Sequence, residues 1–343
     1  METLAKPCAP IRVTSCHDWA PGWPWIAELY RGEPEIEWQS LSSLRSSLVR
    51  RIPGPHYGRL RVALQIAALT ALRRTDLVVS HGPYISYYIE AFGRRLSHRV
   101  PHFAFSFNFT DVPEDNRRNA MRRAFGHIER FFVFSNMERE LYSRIFEVPI
   151  ERFVFMLWGV APPITNPGPR TIESPYLVSV GGEARDYKTL CEAARLLPNI
   201  QFVLVTRPES LRGINVPPNV AVYVNLPWEE TWSLVAHADA ALVPLRSSQT
   251  PNGHVTIVGA MHLGKAQVVT DSTGIRDYVD DGNTGLLVPP KDARAFAAAI
   301  ERLLDDAEMR NRLGSAAQSF ARANCTEQMT VEVFRAELTK MLG

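Results

Sequence analysis

The chain has 343 residues, 45% of them hydrophobic, and its 38 Lys and Arg nearly balance its 36 Asp and Glu. At about 150 residues per domain, this length predicts two domains with separate cores. The four cysteines lie far apart without a C-x-x-C pair, which argues against a zinc or disulfide framework and favours buried thiols in a reducing compartment.

Short, almost continuously apolar runs recur through the first half of the chain. Runs of this kind are typical of strands buried on both faces, so they predict a parallel sheet covered by helices. The predicted strands are 11–15, 35–39, 76–80, 102–107, 131–134 and 152–157.

An apolar segment with helical spacing, 60–71, lies between the second and third predicted strands. Its predicted core-facing positions are Leu60, Ala63, Leu64, Ala67, Ala68 and Ala71. The arginines around it are Arg50, Arg51, Arg59, Arg61, Arg73 and Arg74. Residues 1–152 carry 21 Lys and Arg against 16 Asp and Glu, so this edge is predicted either to rest on an anionic membrane or to be a solvated basic face.

A Pro-rich stretch, 161–175, interrupts the pattern and indicates a linker. The pattern then restarts with predicted strands at 176–180, 201–205, 220–224, 240–245, 266–270 and 285–288. Asp292 is the predicted N-cap of a following helix. The apolar stripe of that helix is Phe296, Ala299, Ile300, Leu303 and Leu304. The final helix is predicted to pack through Val331, Phe334, Leu338 and Met341.

Strands that alternate with helices in two blocks predict two doubly wound, Rossmann-like α/β domains that face each other across a cleft. The predicted N-terminal domain is 1–162 and the linker is 163–175. The second domain is 176–323, and 324–343 is predicted to be a helix that returns to the N-terminal domain.

The first candidate ligand site is the segment "VGGEARDYKTL", 180–190, because ligands of open α/β sheets lie at the carboxyl ends of strands. A predicted strand ends at Gly181 and Gly182, and Arg185 and Lys188 follow at the start of a helix. A helix N-terminus with two cations favours an anion such as a diphosphate. The alternative is a glycine turn with exposed basic residues.

The second candidate site is the loop "VPLRSSQTPNGH", which leaves a strand and enters a helix near His254. Asn252 and Gly253 form its tip, and Gly253 allows close approach of a ligand to the backbone. His254 and Thr256 have side chains that donate to phosphate oxygens or sugar hydroxyls. The alternative is a tight Asn-Gly turn with His254 as a polar cap.

Region 176–323 resembles the C-terminal domain of the family 4 retaining glycosyltransferases, which have the GT-B fold. The resemblance rests on "GGEARDYK", on "WEETWSLVAHADAALVPL" and on "GAMHLGKAQVVTDSTGIRDYVDDGNTGLLVPPKD". The N-terminal half is similar to the acceptor domain of that family more weakly, through "DLVVSHGPY", "FSFNFTDVP" and "FFVFSNMERELYSRIFEVPIERFVFMLWGV".

The resemblance implies that a nucleotide sugar donates its sugar to an acceptor hydroxyl, with retention of configuration. The family usually carries a Glu-x7-Glu motif whose second carboxylate binds the nucleotide ribose. Pro251 and Gly259 stand at those positions, so the motif is degenerate. The implied donor site is Gly182, Arg185, Lys188, Asn252, Gly253, His254 and Thr256. No cofactor is implied, and a UDP-sugar is favoured over a GDP-sugar.

The implied chemistry depends on a leaving diphosphate that gathers negative charge. Arg185, Lys188 and the helix N-terminus at Gly253 would stabilise that charge, so no metal is expected. A D-x-D motif at a strand end is absent. At the acceptor side His81, which follows a predicted strand, is the first catalytic candidate and Asp18 is the second.

The expected partners are a nucleotide sugar and a saccharide or lipid-linked acceptor, with an anionic membrane surface as a further one; no nucleic acid is expected. The sequence shows no leader, and its most apolar stretch, 62–72, is shorter than the about 18 residues of a membrane span. The protein is therefore predicted to be cytoplasmic. The alternative is a cytoplasmic protein that is peripheral on the inner face of the membrane. A non-catalytic GT-B relative remains an alternative. An NAD-dependent oxidoreductase or epimerase is disfavoured because no G-x-G-x-x-G run is present.

Overall fold

The computed structural model describes residues 9–19, 23–44, 55–93, 100–246 and 251–343. The chain forms two compact units. Unit 1 consists of Met1–Met156 and Thr330–Gly343, and unit 2 consists of Leu157–Met329. The chain thus leaves unit 1 after Met156 and returns to it at Thr330.

Unit 1 contains a six-stranded parallel sheet. Its strands are β1 (Ile11–His17), β2 (Ile36–Ser42), β3 (Leu77–His81), β4 (His102–Phe105), β5 (Arg130–Val133) and β6 (Phe153–Phe155). The strand order is β2-β1-β3-β4-β5-β6, and every neighbouring pair runs parallel. The central strands β3 and β4 are wholly buried, as their apolar sequences predict.

The helices of unit 1 are α1 (Pro55–Ala71), α2 (Pro83–Tyr88), α3 (Asp115–Phe125) and α4 (Asn136–Phe146), with a π-helical turn at Ile89–Gly93. Helix α4 begins with a capping box. Ser135 accepts a hydrogen bond from the backbone N–H of Glu138, and Glu138 accepts one from Phe134. These bonds fix the start of α4 directly after β5.

The predicted core face of α1 is only partly confirmed. Ala63 and Ala67 are buried as predicted, but Val62 and Ile66 are buried with them, whereas Leu64 is 47% exposed. The helix is therefore turned so that the β-branched Val62 and Ile66 enter the core, because these bury more apolar area than the alanines of the predicted stripe.

Unit 2 contains a second six-stranded parallel sheet. Its strands are β7 (Tyr176–Val180), β8 (Gln201–Thr206), β9 (Val220–Val224), β10 (Ala240–Val243), β11 (Gln267–Thr270) and β12 (Leu286–Val288). Their order is β12-β11-β10-β7-β8-β9, again with parallel neighbours. The order runs outward in both directions from β7 and β10, which is the doubly wound arrangement.

The helices of unit 2 are α5 (Tyr187–Leu196), α6 (Trp228–His237), α7 (His254–His262), α8 (Ala293–Asp305) and α9 (Ala307–Asn324). The predicted N-cap of α8 is confirmed, since Asp292 accepts a hydrogen bond from the N–H of Ala295. Phe296, Ile300 and Leu303 of α8 are buried in the core of unit 2, as the stripe predicts.

The last helix, α10 (Glu327–Leu342), carries the chain from unit 2 back to unit 1. Its buried side chains include Val331, Phe334 and Leu338, three of the four residues predicted to pack. The ring centroid of Phe334 lies 5.4 Å from that of Trp25 and 5.6 Å from that of Trp38. This helix therefore completes an aromatic part of the core of unit 1.

Candidate functional site

The turn after β7 is built around the side chain of Arg185. Gly181 has a φ of 128°, and a β-carbon added there would lie 2.7 Å from Nη2 of Arg185. A β-carbon added at Gly253, on the loop before α7, would lie 3.5 Å from Nη1 of the same side chain. The two glycines therefore leave the space in which the guanidinium lies, and they bring two candidate segments together.

Arg185 joins the turn after β7 to helix α7. Its Nη2 donates to Oγ1 of Thr256 over 2.8 Å, while its Nε and Nη1 donate to the carbonyls of Val180 and Glu183, each over 3.2 Å. Thr256 is predicted to bind the ligand, and in the structure its hydroxyl accepts this hydrogen bond from Arg185. The contact places two predicted donor-site residues side by side.

The guanidinium of Arg185 is buried, and burial lowers its pKa. Glu183, the nearest acidic residue in sequence, pairs with Arg207 rather than with Arg185. Across the described ranges Arg185 has hydrogen bonds to neutral oxygens only. A buried cation is stable only when an opposite charge compensates it, so this site favours an anionic ligand.

A cavity of about 260 Å³ lies beside Arg185, and Gly182 and Lys188 also line it. Two further cations on its wall, Arg212 and Arg246, were missed from the sequence. Each follows the carboxyl end of a strand, β8 and β10 respectively, and Arg212 directly precedes a glycine turn at Gly213. A search of every strand end for basic residues would have found both.

Acidic side chains also line this cavity, namely Asp186 and Glu209, against four basic ones. Asp186 is the N-cap of α5, where its carboxylate accepts hydrogen bonds from the N–H and the hydroxyl of Thr189. The carboxylate of Asp186 thus occupies one backbone N–H of the first turn of α5, and it places a negative charge at the predicted anion site. The excess of basic groups in the cavity still favours an anion.

Helix α7 begins, as predicted, at His254. Gly253 precedes it as the N-cap residue with a φ of 91° and, being a glycine, supplies no capping side chain. Asn252 is partly buried immediately before the glycine. Burial, with a smaller contribution from Arg185, lowers the pKa of His254 to about 4, and its ring stacks on Tyr278 at 5.7 Å. His254 is therefore neutral at physiological pH.

The structure gives a steric reason for Gly259. A β-carbon added there would lie 2.1 Å from Cη2 of Trp232, a side chain of α6 that is almost fully buried. The indole thus fills the space into which a side chain at 259 would point. A glutamate at this position is incompatible with the packing of α6 against α7.

The two catalytic candidates of unit 1 lie at the carboxyl ends of β1 and β3. His81 is 3% exposed, with Nε2 3.2 Å from the hydroxyl of Ser15 and Nδ1 without a hydrogen-bond partner among the described residues. The rings of Trp23 and Trp25 lie 4.8 and 4.7 Å from it. Burial, and then the nearby His17, holds the pKa of His81 well below its usual value.

Asp18 is engaged in an ion pair. Its Oδ2 accepts from Nη2 of Arg59 over 2.5 Å, and its Oδ1 accepts from the hydroxyl of Ser43. The structure therefore brings Asp18 and His81 to the same edge of the sheet of unit 1. Asp18 is ion-paired there and His81 is covered by tryptophan rings, and neither contact was predicted from the sequence.

The described part of the chain contains neither a candidate metal site nor a candidate membrane-spanning helix. Within it, His, Cys, Asp and Glu form no group suited to hold a metal ion. Among the described helices, none combines the length and the apolar character that a membrane span requires.

Comparisons with known proteins agree with this architecture. Residues 175–320 match the family model "Glycosyl transferases group 1". The chain is 32% identical over 81 residues to the alpha-D-kanosaminyltransferase of Streptomyces kanamyceticus, covering 24% of this chain and 20% of that protein. It is 31% identical over 148 residues to the lipopolysaccharide core biosynthesis glycosyltransferase LpsE of Rhizobium meliloti (strain 1021), covering 41% and 43%. The chain thus spans less than half the length of either relative.

Among solved structures, Anabaena Alr3699/HepE in complex with UDP is similar over 96% of this chain and all of that one, with a TM-score of 0.70 and 14% identity. The two doubly wound units and this likeness define the GT-B fold, as predicted. Within that fold, the match to the glycosyl transferases group 1 family model lies in unit 2.

Proposed function

We propose that the protein is a glycosyltransferase that moves a sugar from a nucleotide diphosphate donor to an acceptor hydroxyl, in glycan or glycoconjugate synthesis. The buried Arg185 carries this proposal, because its hydrogen bonds within the described residues are to neutral oxygens and it lies at the edge of a basic cavity. Unit 2 would bind the donor and unit 1 the acceptor. The relatives named above, which include transferases of sugar residues, support the same class of reaction.

The donor diphosphate would be held by charge. Arg185 and Lys188 would contact the phosphates, Arg212 and Arg246 would add to the positive potential, and the N-terminus of α7, which begins after Gly253, would add backbone N–H donors. These groups would stabilise the leaving diphosphate as its charge grows. We favour UDP over GDP as the nucleotide, in line with the UDP bound by the similar Anabaena protein.

The first experiment compares the binding of UDP and uridine by calorimetry. Arg185→Ala and Lys188→Ala should each weaken UDP binding by tens to hundreds of times, since a hydrogen bond to a charged group contributes about 1.5–3 kcal/mol. Uridine binding should change much less. Arg294→Ala, which removes an exposed arginine of α8, is the matched control and should leave both affinities unchanged. Equal losses for UDP and uridine would remove the diphosphate assignment.

We propose further that transfer proceeds with retention and without a metal. Two cations and a helix N-terminus would neutralise the leaving group, which is the role that Mg²⁺ or Mn²⁺ has in metal-dependent sites. Activity with a UDP-sugar should therefore survive EDTA. Loss of turnover in EDTA that Mn²⁺ restores would contradict this part of the proposal.

A second function, a non-catalytic GT-B protein that binds a sugar nucleotide, is favoured by one observation. Trp232 occupies the space beside Gly259, so α7 offers no carboxylate to a ribose in the way that the resemblance implies. Sugar release from UDP-glucose, measured as UDP formed over time, distinguishes the two functions. Tight UDP binding without any UDP-sugar turnover, across a panel of donors and saccharide acceptors, would favour the non-catalytic protein.

We propose that a lipid-linked acceptor would be reached by peripheral association with an anionic membrane. The outer face of α1 supports this, because Tyr57 and Leu64 are exposed there together with Arg61. Arg59, by contrast, is paired with Asp18, and Arg50 and Arg51 lie outside the described residues. Co-sedimentation should require anionic vesicles, weaken with salt, and fall in the double variant Arg50→Glu, Arg51→Glu. No pelleting with either neutral or anionic vesicles would favour a soluble acceptor.

A further inference from the structure

Trp19, at the carboxyl edge of the sheet of unit 1, is more exposed than the other tryptophans near it. Trp19 follows β1 directly and is 42% exposed, whereas Trp23 and Trp25 nearby are partly buried. The centroid of the Trp19 ring lies 4.5 Å from that of Trp23 and 5.9 Å from that of His17, on which it stacks at 26°. Its other contact is with His81, at 5.7 Å.

These contacts hold the indole of Trp19 in place while leaving much of it open to solvent. The backbone of Trp19 is fixed as well, since its carbonyl accepts a hydrogen bond from the hydroxyl of Ser42 and its N–H donates to Nδ1 of His17 over 3.3 Å. An aromatic surface held in this way loses little conformational entropy when a ligand packs on it.

Polar groups with fixed positions occur at the same edge of the sheet. Asp18, the residue before Trp19, is held by Arg59, and the guanidinium of Arg59 lies 5.3 Å from the ring centre of Tyr84. Arg117 lies over the same ring at 4.7 Å. This edge therefore carries carboxylate, guanidinium and phenol groups as well as an indole, and these groups can both accept and donate hydrogen bonds.

The location is the one at which an open parallel sheet binds ligands. Asp18 and Trp19 follow the carboxyl end of β1, and Tyr84 follows that of β3. Ligand sites of such sheets combine apolar or aromatic surface with a few positioned polar groups.

We propose that Trp19 is the stacking platform for a saccharide ring of the acceptor, with Asp18 and Arg59 binding hydroxyls of the same ring. This inference rests on the proposed function, because it names the acceptor class for the unit that would bind the acceptor. A pyranose fits the site better than a purely apolar acceptor does, since one of its faces carries C–H groups and its rim carries hydroxyls. The face of that ring would cover the indole, and the rim would meet the carboxylate and the guanidinium.

The experiment measures the binding of methyl α-glycosides of glucose, galactose, mannose and rhamnose by saturation-transfer NMR. At least one should bind to the wild-type protein through its ring protons. Trp19→Ala should weaken that binding severalfold, and Trp19→Phe should restore part of it, because the smaller ring replaces part of the aromatic surface on which the saccharide would stack. Trp228→Ala removes another indole, 55% exposed on unit 2, and is the matched control; saccharide binding should not change.

The outcomes separate this inference from the proposed function. Circular dichroism of each variant shows that it is folded, and UDP binding by the wild type tests the donor function independently. UDP binding together with saccharide binding that Trp19→Ala leaves intact would overturn the platform while the transferase proposal stands. Absence of glycoside binding by the wild type would also overturn it, whereas absence of UDP binding would count against the proposed function itself.

Discussion

The indole of Trp232 limits which side chain can occupy position 259 of helix α7. The β-carbon position at 259 lies within 2.1 Å of the indole, so even alanine must displace Trp232 or α7. The two residues therefore form a matched pair of small and large side chains, and the degenerate Glu-x7-Glu motif has a packing explanation.

Gly259→Ala should lower the free energy of unfolding by about 1–3 kcal/mol, the usual cost of overpacking a core. Chemical denaturation followed by circular dichroism measures this loss. Gly126→Ala is the matched control, since Gly126 is exposed and its added β-carbon would meet only ordinary contacts at 3.6 Å. In a Trp232→Ala background Gly259→Ala should cost much less; additive losses in that double-mutant cycle would contradict direct packing of the pair.

Glu138 should make the stability of the protein depend on pH. Burial raises the pKa of this carboxyl from 4.5 to about 8, although the N–H of Phe134 and the hydroxyls of Tyr142 and Ser135 oppose the shift. Between those two pH values the folded protein keeps a proton that the unfolded chain has lost, so stability should fall as pH rises from about 4.5 to about 8.

The measurement is the urea midpoint between pH 5 and pH 8 for the wild type and for Glu138→Gln. The variant cannot ionise at this position, so its midpoint should fall less over that range. Glu140→Gln, on an exposed part of the same helix, is the control and should keep the wild-type slope. Identical slopes for all three proteins would show that the carboxylate of Glu138 is tolerated in the fold.

At the level of elements, the strands were more predictable than the faces of the helices. All twelve predicted strands occur. Most of them are buried and are identified by their apolar composition alone, whereas the edge strands β2 and β9 are partly exposed. Helix α1 is apolar around much of its circumference, so periodicity could not show whether Leu64 or Ile66 faces the core. Packing against the sheet determines which of the two is buried.

Contacts between distant segments also limit what can be predicted at the donor site. Arg185 and Gly253 follow from turn chemistry, whereas the hydrogen bond that joins Arg185 to Thr256 depends on two distant segments meeting.

The orientation of α1 can be tested with one pair of variants. Ile66→Ala should destabilise unit 1 by about 2–5 kcal/mol, because it opens a cavity in the core. Leu64→Ala removes a similar side chain from the exposed face and should change stability by no more than about 0.5 kcal/mol. Equal losses in the two variants would mean that both faces of α1 are covered.

At the level of the whole molecule, both ends of the chain are needed to complete unit 1. Phe334 of α10 packs against Trp25 and Trp38, and Glu337 pairs with Arg130 of β5 at 2.8 Å. Unit 2, in contrast, is one continuous segment, Leu157–Met329. The stability of unit 1 should therefore depend on the last helix more strongly than that of unit 2 does.

Phe334→Ala should destabilise unit 1 by about 3–5 kcal/mol through loss of a buried aromatic side chain. Hydrogen exchange read by mass spectrometry should show faster exchange in β3 and β4 of unit 1, with β10 and β11 of unit 2 less affected. Met341→Ala, which changes a partly buried side chain near the end of the same helix, should have a much smaller effect. Equal acceleration in both sheets would contradict a role confined to unit 1.

The return of the chain to unit 1 also sets an order of events during synthesis on the ribosome. Domains usually fold as units while the chain emerges, N-terminal first. Here the first 156 residues emerge without α10, and the helix that carries Phe334 is made after unit 2. All of unit 2 has been translated before unit 1 receives this helix. We therefore expect the nascent chain to hold an incomplete first unit, with aromatic core residues uncovered, until α10 has emerged, which is the interval in which chaperones would be needed most.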